Sequence, residues 1–246
     1  MRKLVMAFVL AGLAGALGVH GQDGELLAAL DRARFLDAPA SQLTVVVRSE
    51  SNGEVEEAEL RLAFKEIGGK NYVRVDFLRP ADQAGQVFLV TPDATFFWQP
   101  ELFAPIRTSG AQAAFGDAAV AQLSGIRFAD DYRIDAQREA RDADGNPLLQ
   151  LDLRATSPAI PFQALTVVVD VASGRPQELQ LLALTGVLLY RVLLTEYAEL
   201  DGDLYVRTQT IENALLEDSQ TILSIVAVGI EPLPDEAFDP TRLGEG

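Results

Sequence analysis

The sequence has 246 residues, no cysteine, a single histidine and a formal charge of −16 at neutral pH. Without thiols, and with His20 inside a predicted leader, it offers no Ser-His-Asp triad, no Cys nucleophile, no His/Cys zinc site and no disulfide. The acidic balance repels nucleic acid and anionic head groups, so the fold has to rest on its own apolar core, which a chain of this length can bury.

The N-terminus reads as a secretory signal peptide, residues 1–21. Arg2 and Lys3 give a positive start, Leu4 to Leu17 is an apolar run too short to span a bilayer comfortably, and Val19-His20-Gly21 supplies small residues at a cleavage site. Cleavage there would leave a mature chain, 22–246, two units more negative, with no lipobox cysteine for lipid attachment. Residues 23–36 then have helical spacing, with Leu26, Leu27, Leu30, Ala33 and Phe35 on one side, Asp23 as N-cap, and Asp37-Ala38-Pro39 as the stop.

From Leu43 onward the periodicity is two. Leu43–Arg48 is β-branched, and Ser51-Asn52-Gly53 is a turn. Residues 54–67 alternate, with Leu60, Leu62 and Phe64 on one face. Gly68-Gly69 closes a hairpin into 72–78, where Val73, Val75 and Phe77 share a face opposite Tyr72, Arg74 and Asp76. Gln86–Thr91 and Thr95–Gln99 follow, the second holding Phe96, Phe97 and the single Trp98. Residues 101–127 change character: 109–117 is rich in Ala and Gly and reads as a lid or plug, with Asp117 capping a short helix over 118–123. The β pattern resumes at Phe128. It runs through Tyr132–Arg138, Leu148–Arg154, Phe162–Val171, Glu178–Leu184, Val187–Tyr197, Leu204–Glu212 and Ser219–Gly229. About a dozen strands at intervals of roughly ten residues predict one mainly β domain with few helices, built on an antiparallel sheet or barrel. No Gly/Ser-rich linker divides it.

Carboxylates are the remaining catalytic candidates. Glu56-Glu57 and Asp130-Asp131 are adjacent pairs, which point to opposite faces if they lie on strands. Asp142 and Asp144 sit beside Gly145-Asn146, a turn composition that lacks the full spacing of a calcium loop. There is no Gly-rich phosphate loop, and no cofactor or metal is expected. The aromatic residues are the other candidate: Phe64, Phe77, Phe88, Phe96 and Trp98, with Val75 between them, either fill a core or line a cavity.

The order of motifs resembles that of the periplasmic carriers of the outer-membrane lipoprotein-sorting pathway, the LolA-like family. The matching pieces are Arg74-x-Asp76-Phe77-x-x-Pro80, Gly85-x-x-Phe88-Leu89, Phe96-x-Trp98-x-Pro100 and Arg107. Phe115-Gly116-Asp117, the paired strands of Val167–Tyr197 around Ser173-Gly174-Arg175-Pro176, and the closing Asp235-x-x-Phe238 with Leu243 continue the likeness. Phe96 and Trp98 stand where the family pattern has Trp and Tyr. The resemblance implies an incomplete, strongly curved antiparallel half-barrel covered by short helices, without catalysis. Its apolar cavity would take lipid or lipoprotein acyl chains on Phe64, Val75, Phe77, Phe88, Phe96 and Trp98. Phe97 would pack under an outer helix. Arg48, Arg74, Arg107 and Phe115 are then head-group or lid candidates. The implied partners are an inner-membrane RND-type or ABC-type transporter and an outer-membrane acceptor. A periplasmic sensor that binds a protein partner and an acidic hydrolase are the alternatives.

Overall fold

In a computed structural model of the protein, residues 19–34, 40–108, 126–158, 160–216, 218–229, 231 and 233–244 are described. The elements, in chain order, are α1 (Val19–Arg32), β1 (Ala40–Ser51), β2 (Glu54–Ile67), β3 (Lys70–Arg79), β4 (Val87–Val90), β5 (Thr95–Trp98) and β6 (Ile106–Thr108). Then come α2 (Phe128–Asp131), β7 (Tyr132–Arg141), β8 (Pro147–Ala155), β9 (Ala164–Asp170), β10 (Arg175–Leu182), β11 (Leu188–Leu200), β12 (Asp203–Asn213) and β13 (Gln220–Gly229). Two 3-10 turns, Asp235–Phe238 and Pro240–Arg242, close the chain.

The thirteen strands form one antiparallel sheet in the order β6-β5-β4-β3-β2-β1-β13-β12-β11-β10-β9-β8-β7. Two meanders run outward from a central pair, β1 and β13, and the sheet does not close into a barrel. The hairpin turns follow from their residues. Asn52 and Gly53 both take positive φ (53° and 79°) in the two-residue loop between Ser51 and Glu54, and Gly68 and Gly69 do the same between β2 and β3. That geometry matches the right-handed twist of the flanking strands. Edge strand β7 carries Arg133, Asp135, Arg138 and Arg141, charges that discourage another strand from adding on.

Directly paired residues lie on the same face of a sheet. Leu60, Phe77 and Val45 on one side of the centre, and Leu223, Ile211, Val192, Leu179, Val167 and Leu151 on the other, follow the register across both meanders on one surface. Helix α1 packs on that surface and touches both β12 and β7, five strands apart in the sheet order. The sheet therefore curls around α1, and this surface is the concave one. Leu27 and Leu30 of α1 and Phe128 of α2 are buried against Leu151, Leu153, Leu165, Val167, Leu179, Leu181 and Val192. Burying each leucine contributes about 2 kcal/mol. The β7–β12 half of the concavity is thus filled by the chain's own side chains.

The antiparallel half-barrel with few helices agrees with expectation, and the local differences have physical causes. Helix α1 begins at Val19, the last turn of the predicted leader, and ends at Arg32 rather than running on to Leu36. Asp23 consequently lies inside the helix, where its carboxylate accepts from Gln137 at 3.4 Å. Phe128–Asp131 makes a helical turn before β7 begins, because Asp31 caps it. The predicted lid 109–117, the helix over 118–123 and Phe115 lie outside the described residues.

An ion pair between β10 and β11 makes stability depend on pH. Arg191 donates to Glu178 at 2.8 Å, and Gln180 donates to the same carboxylate. The Arg191 hydrogen bond holds the Glu178 carboxyl below its ordinary value of 4.5. A folded-state pKa below the unfolded one adds stability that is present above the unfolded value and is lost as pH falls through the folded one. The stability gap between the wild type and Glu178→Gln, followed by urea unfolding, is expected to be constant at neutral pH and to close as pH falls through the acidic carboxylate range. A gap unchanged down to pH about 3 would contradict the pairing.

Candidate functional site: a concave face and its latch

Helix α1 is fastened across the bowl by a buried ion pair. Arg34, just past the helix end, donates to Asp31 at 3.0 Å and to the carbonyl of Ile126 at 2.8 Å. Both side chains are buried, with residue exposures of 6% and 8%. The Asp31 carboxylate also accepts from the backbone N–H groups of Phe128 (3.0 Å) and Ala129 (2.9 Å), satisfying two of the free donors at the start of α2. The Arg34 guanidinium stacks 3.8 Å above the Phe128 ring, and the Arg34 carbonyl accepts from Val206 of β12 at 3.2 Å. Burial pulls the Arg34 pKa down, against the attraction of Asp31. The pair ties α1, α2 and the sheet together at the point where the chain returns from residues 109–125.

On the β1–β5 half of the same face, Leu60, Val75, Phe77 and Phe88 form a second apolar cluster, with Val47, Ala58, Leu62, Val73 and Phe97 packed against it. Phe88 and Phe97 stack with centroids 4.6 Å apart, and Phe77 sits 6.0 Å from Phe88. Phe64 is on this face too, paired with Val73. At the β1–β2 hairpin end the cluster opens into a cavity of about 770 Å³ floored by Val47, Ala58, Leu60 and Phe77. Its rim carries Glu50, Glu54, Glu56, Glu57 and Asp82, together with Leu216 from the β12–β13 turn. That volume is in the range of sites that take a small molecule or one or two acyl chains.

The six predicted cavity residues divide between two faces. Phe64, Val75, Phe77 and Phe88 are concave, and of these Phe77 lines the cavity directly. Phe96 and Trp98 are on the convex side, because Leu89 pairs with Phe96 and Val87 with Trp98, while Phe88 pairs with Phe97. Phe97 is therefore the concave member of the trio, the reverse of the expectation. Phe96 and Trp98 instead sit under the C-terminal turns, in a cluster with Ala63, Val87, Leu89, Phe238 and Leu243. A charge placed at either position would unfasten that tail rather than enter the bowl.

The predicted arginines are convex as well. Arg74 makes a paired contact with Asp76 (2.8 to 3.1 Å) and donates to the Ala237 carbonyl at 2.9 Å, stapling the tail to the sheet. Arg107 donates to the Asp93 carbonyl at 3.0 Å and lines a separate outer cleft of about 470 Å³ with Tyr72, Phe96 and Phe238. Arg48 is exposed on β1, opposite Glu57 in the register. None of the three faces the bowl. The arginine that does bind the covering helix is Arg34, which the sequence pattern of residues 23–36 does not single out.

The tail itself is tightly fitted. A Cβ on Gly244 would lie 2.8 Å from Cε2 and Cζ2 of Trp98 and 2.9 Å from its Nε1. Gly244→Ala should push the tail off the indole, costing about 1–3 kcal/mol. Because Trp98 is the only tryptophan, its emission should shift to the red. Unchanged emission and unchanged stability would contradict this contact.

Of the acid pairs, Glu56-Glu57 lies on β2 and Asp130-Asp131 on α2, and Asp142 with Asp144 shows turn chemistry. Asp142 accepts from the backbone N–H groups of Asp144 and Asn146 and from the Asn146 amide, bonds that hold its carboxyl low. Such a group is a fixed acceptor rather than a proton donor. Among the described residues no three acidic or imidazole groups gather closely enough to hold a metal ion, and no helix is long and apolar enough to cross a membrane.

An unclosed antiparallel sheet curled around a short helix is a fold this chain shares with several solved structures. The solved structures it resembles include a LolA superfamily protein from Nitrosomonas europaea, with a TM-score of 0.73 at 20% identity over 88% of this chain and 97% of that one. A DUF1329 family protein from Desulfovibrio piger has a TM-score of 0.73 at 17% identity, covering 89% of this chain and 96% of that one. An outer membrane lipoprotein-sorting protein domain from Vibrio parahaemolyticus has a TM-score of 0.72 at 19% identity, covering 89% and 97%. Residues 69–245 match a family model described as "Uncharacterized protein", and the chain belongs to that family. No curated protein matches the sequence.

Proposed function

We propose that the protein is a periplasmic carrier that shelters the acyl chains of a lipid or lipoprotein on its concave face and moves them toward the outer membrane without catalysis. The observation that carries this reading is the buried apolar cluster of β1–β5, which opens at the β1–β2 hairpin end into a cavity of about 770 Å³ floored by Val47, Ala58, Leu60 and Phe77. The fold likeness to a lipoprotein-sorting domain and the predicted signal peptide support the compartment. Each buried methylene contributes about 0.8 kcal/mol, so a sixteen-carbon chain crossing water bare forfeits roughly 12 kcal/mol. A carrier has to supply that shelter and then give it up.

The Asp31–Arg34 pair is the element suited to release. It holds α1 and α2 over the filled half of the bowl, and a membrane protein that competes for either partner would loosen both at once. Delivery from an inner-membrane transporter of the RND or ABC type to an outer-membrane acceptor fits the exposed Leu215 and Leu216 beside the cavity mouth, 63% and 53% exposed. The test is transfer of a palmitoylated fluorescent probe between vesicles held apart by a dialysis membrane. The protein is expected to accelerate transfer in proportion to its concentration. No acceleration, and no probe bound to the protein, would overturn the reading.

A further inference from the structure

The cavity at the β1–β2 hairpin is charged in one sense only. On the inward face β2 reads Glu54, Glu56, Ala58, Leu60, Leu62, Phe64, since Glu54 and Glu56 pair with Ser51 and Ser49 while Ala58 and Leu60 pair with Val47 and Val45. The strand thus runs from carboxylates at the mouth to aliphatic and aromatic side chains within. Glu56 to Phe64 spans roughly 27 Å at the usual strand rise, the scale of a long acyl chain with its head group. Glu50, Glu57 and Asp82 complete the rim. No Lys or Arg is among the residues lining it, and none of the five carboxylates has an ion pair to a basic residue among the described residues. Arg48 stands opposite Glu57 on the convex face of β1 and β2, and Arg79 lies 3.4 Å from Glu59 on that same side. Glu54 and Glu56 share the inward face two residues apart, while Glu50 and Glu57 reach the rim from outward-facing positions; like charges on one face repel, and no basic side chain lines the cavity to offset the inward pair.

We propose that the guest is a cationic amphiphile: an acyl chain on the Val47–Ala58–Leu60–Phe77 floor with a positive group between Glu54, Glu56 and the other rim carboxylates. This rests on the acyl-carrier reading and adds the sign of the cargo's head. The positive group can belong to a lipid head or to a lysine following an acylated residue in a protein. Both present the same chemistry to the rim, and both bring charge of the sign the rim lacks. An anionic head would meet the Glu54 and Glu56 carboxylates beside an apolar floor, where repulsion is stronger than in bulk water.

The test uses lipids that share one palmitoyl chain: lysyl-lysophosphatidylglycerol (cationic), lysophosphatidylcholine (zwitterionic) and lysophosphatidylglycerol (anionic). They are titrated calorimetrically below their micelle concentrations. At about 50 mM salt the cationic lipid is expected to bind about tenfold more tightly than the zwitterionic one and the anionic lipid about tenfold more weakly, with the spread narrowing at about 500 mM. In Glu54→Gln/Glu56→Gln, whose side chains are exposed, the three affinities should converge while that of lysophosphatidylcholine stays the same. A palmitoylated Lys-Lys peptide that binds more tightly than the cationic lipid would point to acylated protein as the source. Weaker binding would point to a lipid. Equal affinity for all three heads in the wild type, or an unchanged order in the double variant, overturns the charge assignment and leaves the carrier reading standing. No binding by any of the three overturns both.

Discussion

Asp31→Ala should be among the most damaging single substitutions in the molecule, lowering stability by about 3–5 kcal/mol. It leaves the Arg34 guanidinium buried without its carboxylate and uncaps the Phe128 and Ala129 amides at the same time. Both losses fall where α1, α2 and β12 meet, so the helices should detach before the sheet unfolds. Urea unfolding followed by far-UV circular dichroism would show the lower midpoint, and limited proteolysis would show early cleavage near α1. The double variant Asp31→Leu/Arg34→Met removes both charges and should recover much of the loss, because an apolar pair of similar volume fills such a site at little cost. A single-variant loss below about 1 kcal/mol would mean that the pair is solvated and fastens nothing.

Ala58→Trp should abolish acyl-chain binding while leaving the fold intact. Ala58 is partly exposed on the cavity floor, paired with Val47, so an indole there projects into vacant space rather than into packed atoms. Displacing three or four methylenes of a guest, at about 0.8 kcal/mol each, costs about 2–3 kcal/mol, close to a hundredfold in affinity. Titration with palmitate or a palmitoylated probe, alongside thermal unfolding, separates the two effects. Wild-type affinity in a folded Ala58→Trp protein would place the guest elsewhere.

The strands were legible because their turns are written in small and positive-φ residues: Asn52-Gly53, Gly68-Gly69 and Gly174 each stand where a hairpin turns. The inward faces of β2 and β3 were legible as well, since Leu60, Leu62, Phe64 and Val73, Val75, Phe77 alternate with charged neighbours. The face of β5 was not. Thr95-Phe96-Phe97-Trp98 is apolar at three successive positions, so alternation carries no sign, and only the pairing of Phe88 with Phe97 decides which ring is inside. A one-residue choice there reverses every side chain. The buried Arg34 was not singled out for a related reason. Asp31 and Arg34, three apart near a helix end, look like a solvated surface pair, and their burial depends on the sheet curling until β12 and β7 both reach α1. The acidic mouth was visible as Glu54, Glu56 and Glu57, but it acquired meaning only once Ala58 and Leu60 were seen to continue the same face into a cavity.

The measurement closest to the central claim is mass spectrometry of lipid extracted from the protein after gentle purification from its native compartment. A vacant apolar bowl predicts an acyl-bearing lipid or lipopeptide recovered near one per protein and depleted in Ala58→Trp. Protein that yields no acyl species, and the same nothing from the filled variant, would contradict it.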